Sequence, residues 1–185
     1  MNIYIDTEFT GLHQCTTLIS LGIITEDNQG FYAEFTNYDK SQLNPWLEEN
    51  VISNLLMSNN KQCNLEDFEL SSLHMSLGDT DLICKELSEW LSAVYVSVKE
   101  PLCPVLDVGQ YDMVLFNQIF GHAYKVPGYI NYIPFDVATL FKVKGINPDI
   151  VRETFVDIDS ANKKYKHNAL WDAYVTKKCW EKAWL

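Results

Sequence analysis

The clearest hydrophobic pattern lies at the start of the chain. Ile3, Ile5, Thr7 and Phe9 alternate with Tyr4, Asp6 and Glu8, a period of two that predicts a strand over residues 1–9. Residues 17–25 and 30–36 read as two further strands. Asp27-Asn28-Gln29-Gly30 between them is a turn signal, so the pair predicts a hairpin. Asn44-Pro45 opens a helix, with Asn as N-cap, Pro in the first turn and Leu47, Val51, Leu55 and Leu56 on the apolar face. Residues 58–78 are polar and irregular, and predict a long surface excursion from a single domain spanning 1–185.

A second helix starts near Asp79 or Thr80, with Ile83, Leu87, Trp90, Leu91 and Val94 at helical spacing. A short strand at 103–108 and a helix over 110–120 follow. Asp136 is placed to cap a short helix through Val137, Leu140 and Phe141. The last helix covers about Asn168 to Trp184, and its tryptophans Trp171, Trp180 and Trp184 are explained by packing. Hairpin-linked strands followed by alternating strands and helices predict an α/β architecture with a mixed central sheet and helices on both faces.

Bulk properties narrow the function. The 185 residues are 47% hydrophobic and 21% charged, enough for one folded domain with a sizeable core. No apolar run approaches the ~18 residues of a membrane span. The N-terminus lacks the basic region of a signal peptide. These features predict a cytoplasmic protein with no membrane association. The five cysteines are scattered, without a CxxC pair, and predict neither a disulfide framework nor a zinc knuckle. The net charge of −11 disfavours non-specific binding to nucleic acid. Divalent ions on clustered carboxylates would offset part of it.

Three segments carry candidate chemistry. On a strand, Asp6 and Glu8 face the same side, about 6–7 Å apart along the chain. Adjacent carboxylates ending an apolar strand need positive charge between them, and hard oxygen donors suit Mg²⁺ or Mn²⁺. Asp172 falls in the first turns of the last helix among Ala169, Ala173 and Thr176, small residues that allow close approach to a sheet. His167 precedes that helix in a loop. Asp112 opens the helix after the short strand, and Asp107 is a rival five residues earlier. Taken singly, each segment also fits a solvated strand face or a helix N-terminus.

In combination, the segments resemble the three motifs of the DEDDh exonucleases, also called DnaQ-like or RNase T-like. Tyr4-Ile5-Asp6-Thr7-Glu8-Phe9-Thr10-Gly11-Leu12 looks like the first motif. Val108-Gly109-Gln110-Tyr111-Asp112 looks like the second and favours Asp112 over Asp107. His167-Asn168-Ala169-Leu170-Trp171-Asp172-Ala173 looks like the third. The narrower resemblance is to the mycobacterial-type 3′–5′ exoribonucleases, through Leu18 to Ile23, Phe31-Tyr32-Ala33, Trp46 with Val51, and Tyr111 to Gly121. Phe9 departs from the broader family, many members of which carry Thr there.

The resemblance implies an RNase H-like fold and two Mg²⁺ or Mn²⁺ ions. Asp6, Glu8 and Asp172 would hold one ion, and Asp6 with Asp112 the other. His167 would be the general base. Leu12 would wedge near the terminal bases with Phe9 beside it. Thr10 and Lys166 are further candidates for substrate contact. The implied partner is the 3′ end of RNA, with single-stranded DNA as the alternative substrate. An alternative of another class is a catalytically idle nucleic-acid-binding or regulatory module. A homodimer is implied by resemblance alone. Nearby carboxylates predict a raised histidine pKa. Lys163, Lys164 and Lys166, with Lys177 and Lys178, read equally as a phosphate-guiding patch or a solvated run.

Overall fold

The computed structural model describes residues 1–158 and 165–184. Six strands form one mixed sheet: β1 (Asn2–Phe9), β2 (Leu18–Thr25), β3 (Gln29–Phe35), β4 (Ser72–Gly78), β5 (Cys103–Leu106) and β6 (Phe135–Asp136), in the order β4-β3-β2-β1-β5-β6. The β1–β2 and β2–β3 pairs are antiparallel, and the other three are parallel. The helices are α1 (Pro45–Asn50), α2 (Thr80–Val98), α3 (Gln110–Ile119), α4 (Val137–Val143), α5 (Arg152–Phe155) and α6 (Ala169–Trp184). This is the expected α/β class, consistent with an RNase H-like fold.

Apolar residues on both sides of β1–β3 make the sheet the centre of two cores. Ile3, Ile5, Leu21, Ile23 and Phe31 pack under the α2 residues Ile83, Leu87, Leu91 and Val94 and under Phe116 of α3. On the other face Tyr4, Ile24 and Tyr32 pack under Leu170, Trp171, Ala173 and Tyr174 of α6 and Val137 and Phe141 of α4. Helices therefore cover both faces. The expected caps form: Asn44 accepts the Leu47 N–H, Asp79 that of Leu82 and Asp136 that of Thr139. No described helix is long and apolar enough to cross a membrane.

The 58–78 stretch differs from the expected irregular excursion. It holds a 3₁₀ turn, Leu65–Phe68, and the edge strand β4, parallel to β3 over seven residue pairs. Phe68 is fully buried, touching Tyr165, Trp171 and Tyr174. Burying one such ring contributes about 1.5–3 kcal/mol. Ser72, His74 and Ser76 alternate with Leu73, Met75 and Leu77, a period of two that the polar residues before it mask in the sequence. The first helix is also shorter than its apolar spacing suggests. It ends at Asn50, and Val51 and Leu55 reach Ile19 from a following 3₁₀ turn.

One close approach fixes α6 against the sheet. In β2, Gly22 lies opposite Asp6 of β1, and a Cβ there would sit 2.2 Å from the Ala169 carbonyl oxygen. Only glycine allows the backbone at the start of α6 to rest on the strand. Gly22→Ala is therefore expected to destabilise the fold by about 1–3 kcal/mol or more, the range for overpacking a tight interior. Urea unfolding checks this. Gly128→Ala, where a Cβ meets no atom within 4 Å, serves as the control with an unchanged midpoint.

Candidate active site

The end of β1 outruns its neighbour β5, whose pairing with β1 stops at Tyr4 and Val105. The Thr7 N–H on that side is met by a side chain instead. Asp112, at the start of α3 and 8% exposed, accepts from the Thr7 backbone N–H at 2.9 Å and from the Thr7 hydroxyl at 2.6 Å. Both contacts use one carboxylate oxygen of Asp112. Thr7 is thus a positioning residue that the sequence reading passed over as the spacer of Asp-x-Glu. The exposed strand end was the available signal.

Asp107, the rival, goes elsewhere. It forms a bidentate ion pair with Arg152 of α5, at 2.6 and 2.9 Å. Between the two acids the chain turns through Val108, a β-branched residue held at φ +54°. Asp136 accepts the Val108 N–H at 2.7 Å while also capping α4, so one carboxylate pins both the strained turn and a helix start. Strain of this kind costs on the order of 1–3 kcal/mol.

On the other side of β1, α6 delivers Asp172 to Asp6 and Glu8. The Glu8 and Asp172 carboxyls lie close enough to shift each other's pKa, and Asp172 also lies beside the His167 backbone. Glu8, His167 and Asp172 each offer a ligand atom within 4.8 Å of the others. Asp6 feels the charges of Asp172, Asp112 and Glu8 together. The expected five residues therefore converge on one place. Ser20 lies opposite Glu8 on β2, fully buried, with no hydrogen-bond partner for its hydroxyl among the described residues.

His167 occupies a left-handed conformation, φ +59°. Its neighbours hold it there. Asn54 donates to the Lys166 carbonyl at 2.8 Å. Asn168 donates to the Asn54 carbonyl at 2.9 Å and to the Tyr32 hydroxyl at 3.2 Å. The imidazole meets the Trp46 ring edge-on at 5.0 Å. Asn54 was not foreseen, because nothing local in the sequence marks a residue that clamps a loop 112 positions away.

Electrostatics at this place are one-sided. Among the described residues, no lysine or arginine forms an ion pair with Asp6, Glu8, Asp112 or Asp172. Burial and mutual repulsion push Asp6 and Glu8 well above the usual carboxylate range. Burial, with Glu153 nearby, raises Asp172 to about 7, opposed by Lys166. Burial also raises Asp112, opposed by its bonds from Thr7. His167 moves down, against expectation, because burial and Lys166 outweigh Glu153. Four oxygen-donor acids with no cationic partner suit hard divalent cations.

The flanking candidates separate. Leu12 is 78% exposed. Phe9 stacks on Tyr111 with centroids 5.5 Å apart. Lys166 is exposed beside His167. Thr10 is 3% exposed, and its hydroxyl joins Thr16, Thr17 and Gln42 inside the loop. It ties the β1–β2 loop together instead of facing outward. Lys177 is not part of a phosphate-guiding patch. Its ammonium is buried, donating to the Thr25 and Glu26 carbonyls at 3.0 and 2.9 Å and to the Asn28 side chain. Lys178 pairs with Glu69 at 2.8 Å. Lys163 and Lys164 lie outside the described residues. Trp171 and Trp180 are buried in packing as expected, whereas Trp184 is 63% exposed and stacks on Trp180.

Comparison with known proteins places the chain in a family. The chain is 24% identical over 177 residues to the 3′-5′ exoribonuclease Rv2179c of Mycobacterium tuberculosis strain H37Rv. The same figures hold for the 3′-5′ exoribonuclease MT2234.1 of strain CDC 1551. Each match covers 90% of this chain and 92% of the relative. A family model for the Rv2179c-like 3′-5′ exoribonuclease domain matches residues 1–184. The chain therefore belongs to the Rv2179c-like 3′-5′ exoribonuclease domain family.

Proposed function

We propose that the protein removes nucleoside 5′-monophosphates one at a time from the 3′ end of RNA, with two divalent cations in the carboxylate cluster. The observation that carries this reading is the convergence of Asp6, Glu8, Asp112 and Asp172 without a cationic partner among the described residues, with His167 at the edge. Asp6, Glu8 and Asp172 would hold one Mg²⁺ or Mn²⁺ ion. Asp6 and the free oxygen of Asp112 would hold the other. When bound, the cations supply Lewis-acid stabilisation of the attacking and leaving oxygens.

The residues of the chain do the rest. His167, with its pKa held down, carries a free imidazole nitrogen at neutral pH and takes a proton from the attacking water. The water oxygen bonds to phosphorus and the bond to the 3′ oxygen breaks. That oxygen leaves with a proton from solvent, giving a shortened RNA and a nucleoside 5′-monophosphate. Leu12 and the Phe9–Tyr111 stack present apolar surface to the terminal bases. Lys166 supplies positive charge beside the scissile phosphate. Thr7, by donating twice to one Asp112 oxygen, would leave the other oxygen for the cation.

A ladder assay on end-labelled RNA and matched DNA tests the reading. Trimming from the 3′ end should require Mg²⁺ or Mn²⁺ and stop with chelator. Asp6→Asn or Asp172→Asn should abolish it, and His167→Ala should slow it about 10²–10⁴-fold, the usual worth of a general base. Retention of full activity by Asp172→Asn would sink the assignment.

Thr7→Val keeps the side-chain shape and removes the 2.6 Å donor to Asp112. Its apparent Mn²⁺ affinity is expected to fall roughly tenfold, as for other groups that orient metal ligands. Titration calorimetry reads this directly.

Acidity should act in opposite directions on rate and on stability. The rate should fall toward acid pH as His167 gains a proton, with the fall displaced below the ordinary histidine range because burial and Lys166 hold that pKa down. The carboxylates behave the other way in metal-free protein. Their folded pKa values lie above the unfolded ones, so their contribution to stability is full at low pH and is lost as pH rises through the folded values. For Asp172 that loss runs from its ordinary carboxylate value upward and is complete near about 7. The metal-free melting temperature is therefore expected to rise between about pH 8 and pH 5, and Mn²⁺ should flatten the trend. A metal-free melting temperature that falls over this range would contradict the raised carboxylate values.

A further inference from the structure

The catalytic reading uses the His167 imidazole only as a base, but its surroundings suit a second role. Glu8, His167 and Asp172 offer three ligand atoms within 4.8 Å of one another. Two carboxylate oxygens and an imidazole nitrogen form a mixed donor set. Imidazole suits Zn²⁺ and its late first-row neighbours, and affinity for such a set rises steeply from Mn²⁺ to Zn²⁺. A tetrahedral ion with bonds of about 2.0–2.2 Å holds its ligand atoms about 3.4 Å apart. Side-chain rotations on the order of 1 Å close the set to that spacing.

The protein presents this imidazole ready for a ligand. Among the described residues, nothing hydrogen-bonds its ring nitrogens, and its ring contact is the edge of Trp46. Its backbone is fixed at φ +59° by the clamp of Asn54 and Asn168. Glu8 is held by β1, and Asp172 by the contact of α6 with Gly22. The three donors come from three separately anchored pieces of backbone. Asp6 and Asp112 remain outside the set.

We infer that Glu8, His167 and Asp172 form an inhibitory zinc-class site overlapping the proposed catalytic one. A bound Zn²⁺ takes the imidazole lone pair that would otherwise accept the proton of water. It also takes two of the carboxylates proposed for Mg²⁺ or Mn²⁺. Excess Mg²⁺ competes poorly, because it is a weak partner for nitrogen. The inhibition rests on the proposed function, whereas the binding does not.

The test uses the intact chain with Zn²⁺, and with Co²⁺ as its spectroscopic stand-in. In wild type, Zn²⁺ should bind in the presence of excess Mg²⁺ and stop Mg²⁺-dependent trimming of RNA. In His167→Asn, whose side chain tolerates the left-handed backbone, Zn²⁺ affinity should fall on the order of tenfold or more, as expected when metal coordination is disturbed. Mn²⁺ affinity should stay within about threefold, because Mn²⁺ relies on oxygen donors. In His167→Cys, Co²⁺ should give a thiolate-to-metal charge-transfer band, which places residue 167 on the ion whatever the activity. Unchanged Zn²⁺ affinity in His167→Asn with no such band in His167→Cys overturns the site. Zn²⁺ that supports trimming, or leaves Mg²⁺-dependent trimming intact, overturns the inhibition. A wild type that never trims RNA with Mg²⁺, yet binds Zn²⁺ through His167, sinks the catalytic reading and leaves the site standing.

Discussion

The molecule depends on a contact between two backbones, where the start of α6 lies on β2 at Gly22. A methyl group at that point would meet the Ala169 carbonyl at 2.2 Å. Because Gly22 is paired with Asp6, this contact also sets how near α6 comes to β1. Asp172 sits three residues further along the helix, almost one turn on. The same approach that buries Leu170 and Trp171 therefore carries a carboxylate onto two others. Packing energy from the apolar face of α6 opposes the repulsion that gathering these charges creates. Lys177 adds to the hold by fastening the later turns of α6 to the β2–β3 hairpin.

Repulsion is the main local expense of the arrangement, and it accounts for the raised pKa values. Asp6, Glu8 and Asp172 lie near one another with burial working against their charged forms. Thr7 relieves Asp112 in part by donating twice to one oxygen. Two left-handed residues, Val108 and His167, flank the cluster. Both are pinned by side chains from distant elements: Asp136 at the first, and at the second Asn54, which is bonded in turn by the neighbouring Asn168. Strain and unpaired charge at one place, each supported from outside, are typical of a site built to bind something.

Net charge and substrate class are reconciled by location. The chain carries −11 overall, and two lysines that might have guided a polyanion are committed to structure. Lys177 is buried, and Lys178 is paired with Glu69. On the proposed reading, attraction to nucleic acid would be short-ranged, through cations in the carboxylate cluster and through Lys166. On the same reading, the aromatic and apolar surface of Phe9, Tyr111 and Leu12 would add contact that owes little to charge, suited to a few nucleotides at a chain end.

The sequence alone determined the central strands, their hairpin, the capped helices and the α/β class. These follow from local periodicity and capping chemistry, which neighbouring residues fully specify. It also offered Asp6, Glu8, Asp112, His167 and Asp172, each weak alone and drawn together by the resemblance of their three segments to the DEDDh motifs. The resemblance favoured Asp112 over Asp107, and only the tertiary structure shows the physical difference between them. Their difference lies in partners 45 and 105 positions away, Arg152 and Thr7. It also turned residues 72–78 into an edge strand, buried Lys177, and lowered the His167 pKa where adjacent acids suggested the reverse. Pairing partner, burial and local field are properties of what the chain folds against. They appear only once segments far apart in sequence are brought together in space.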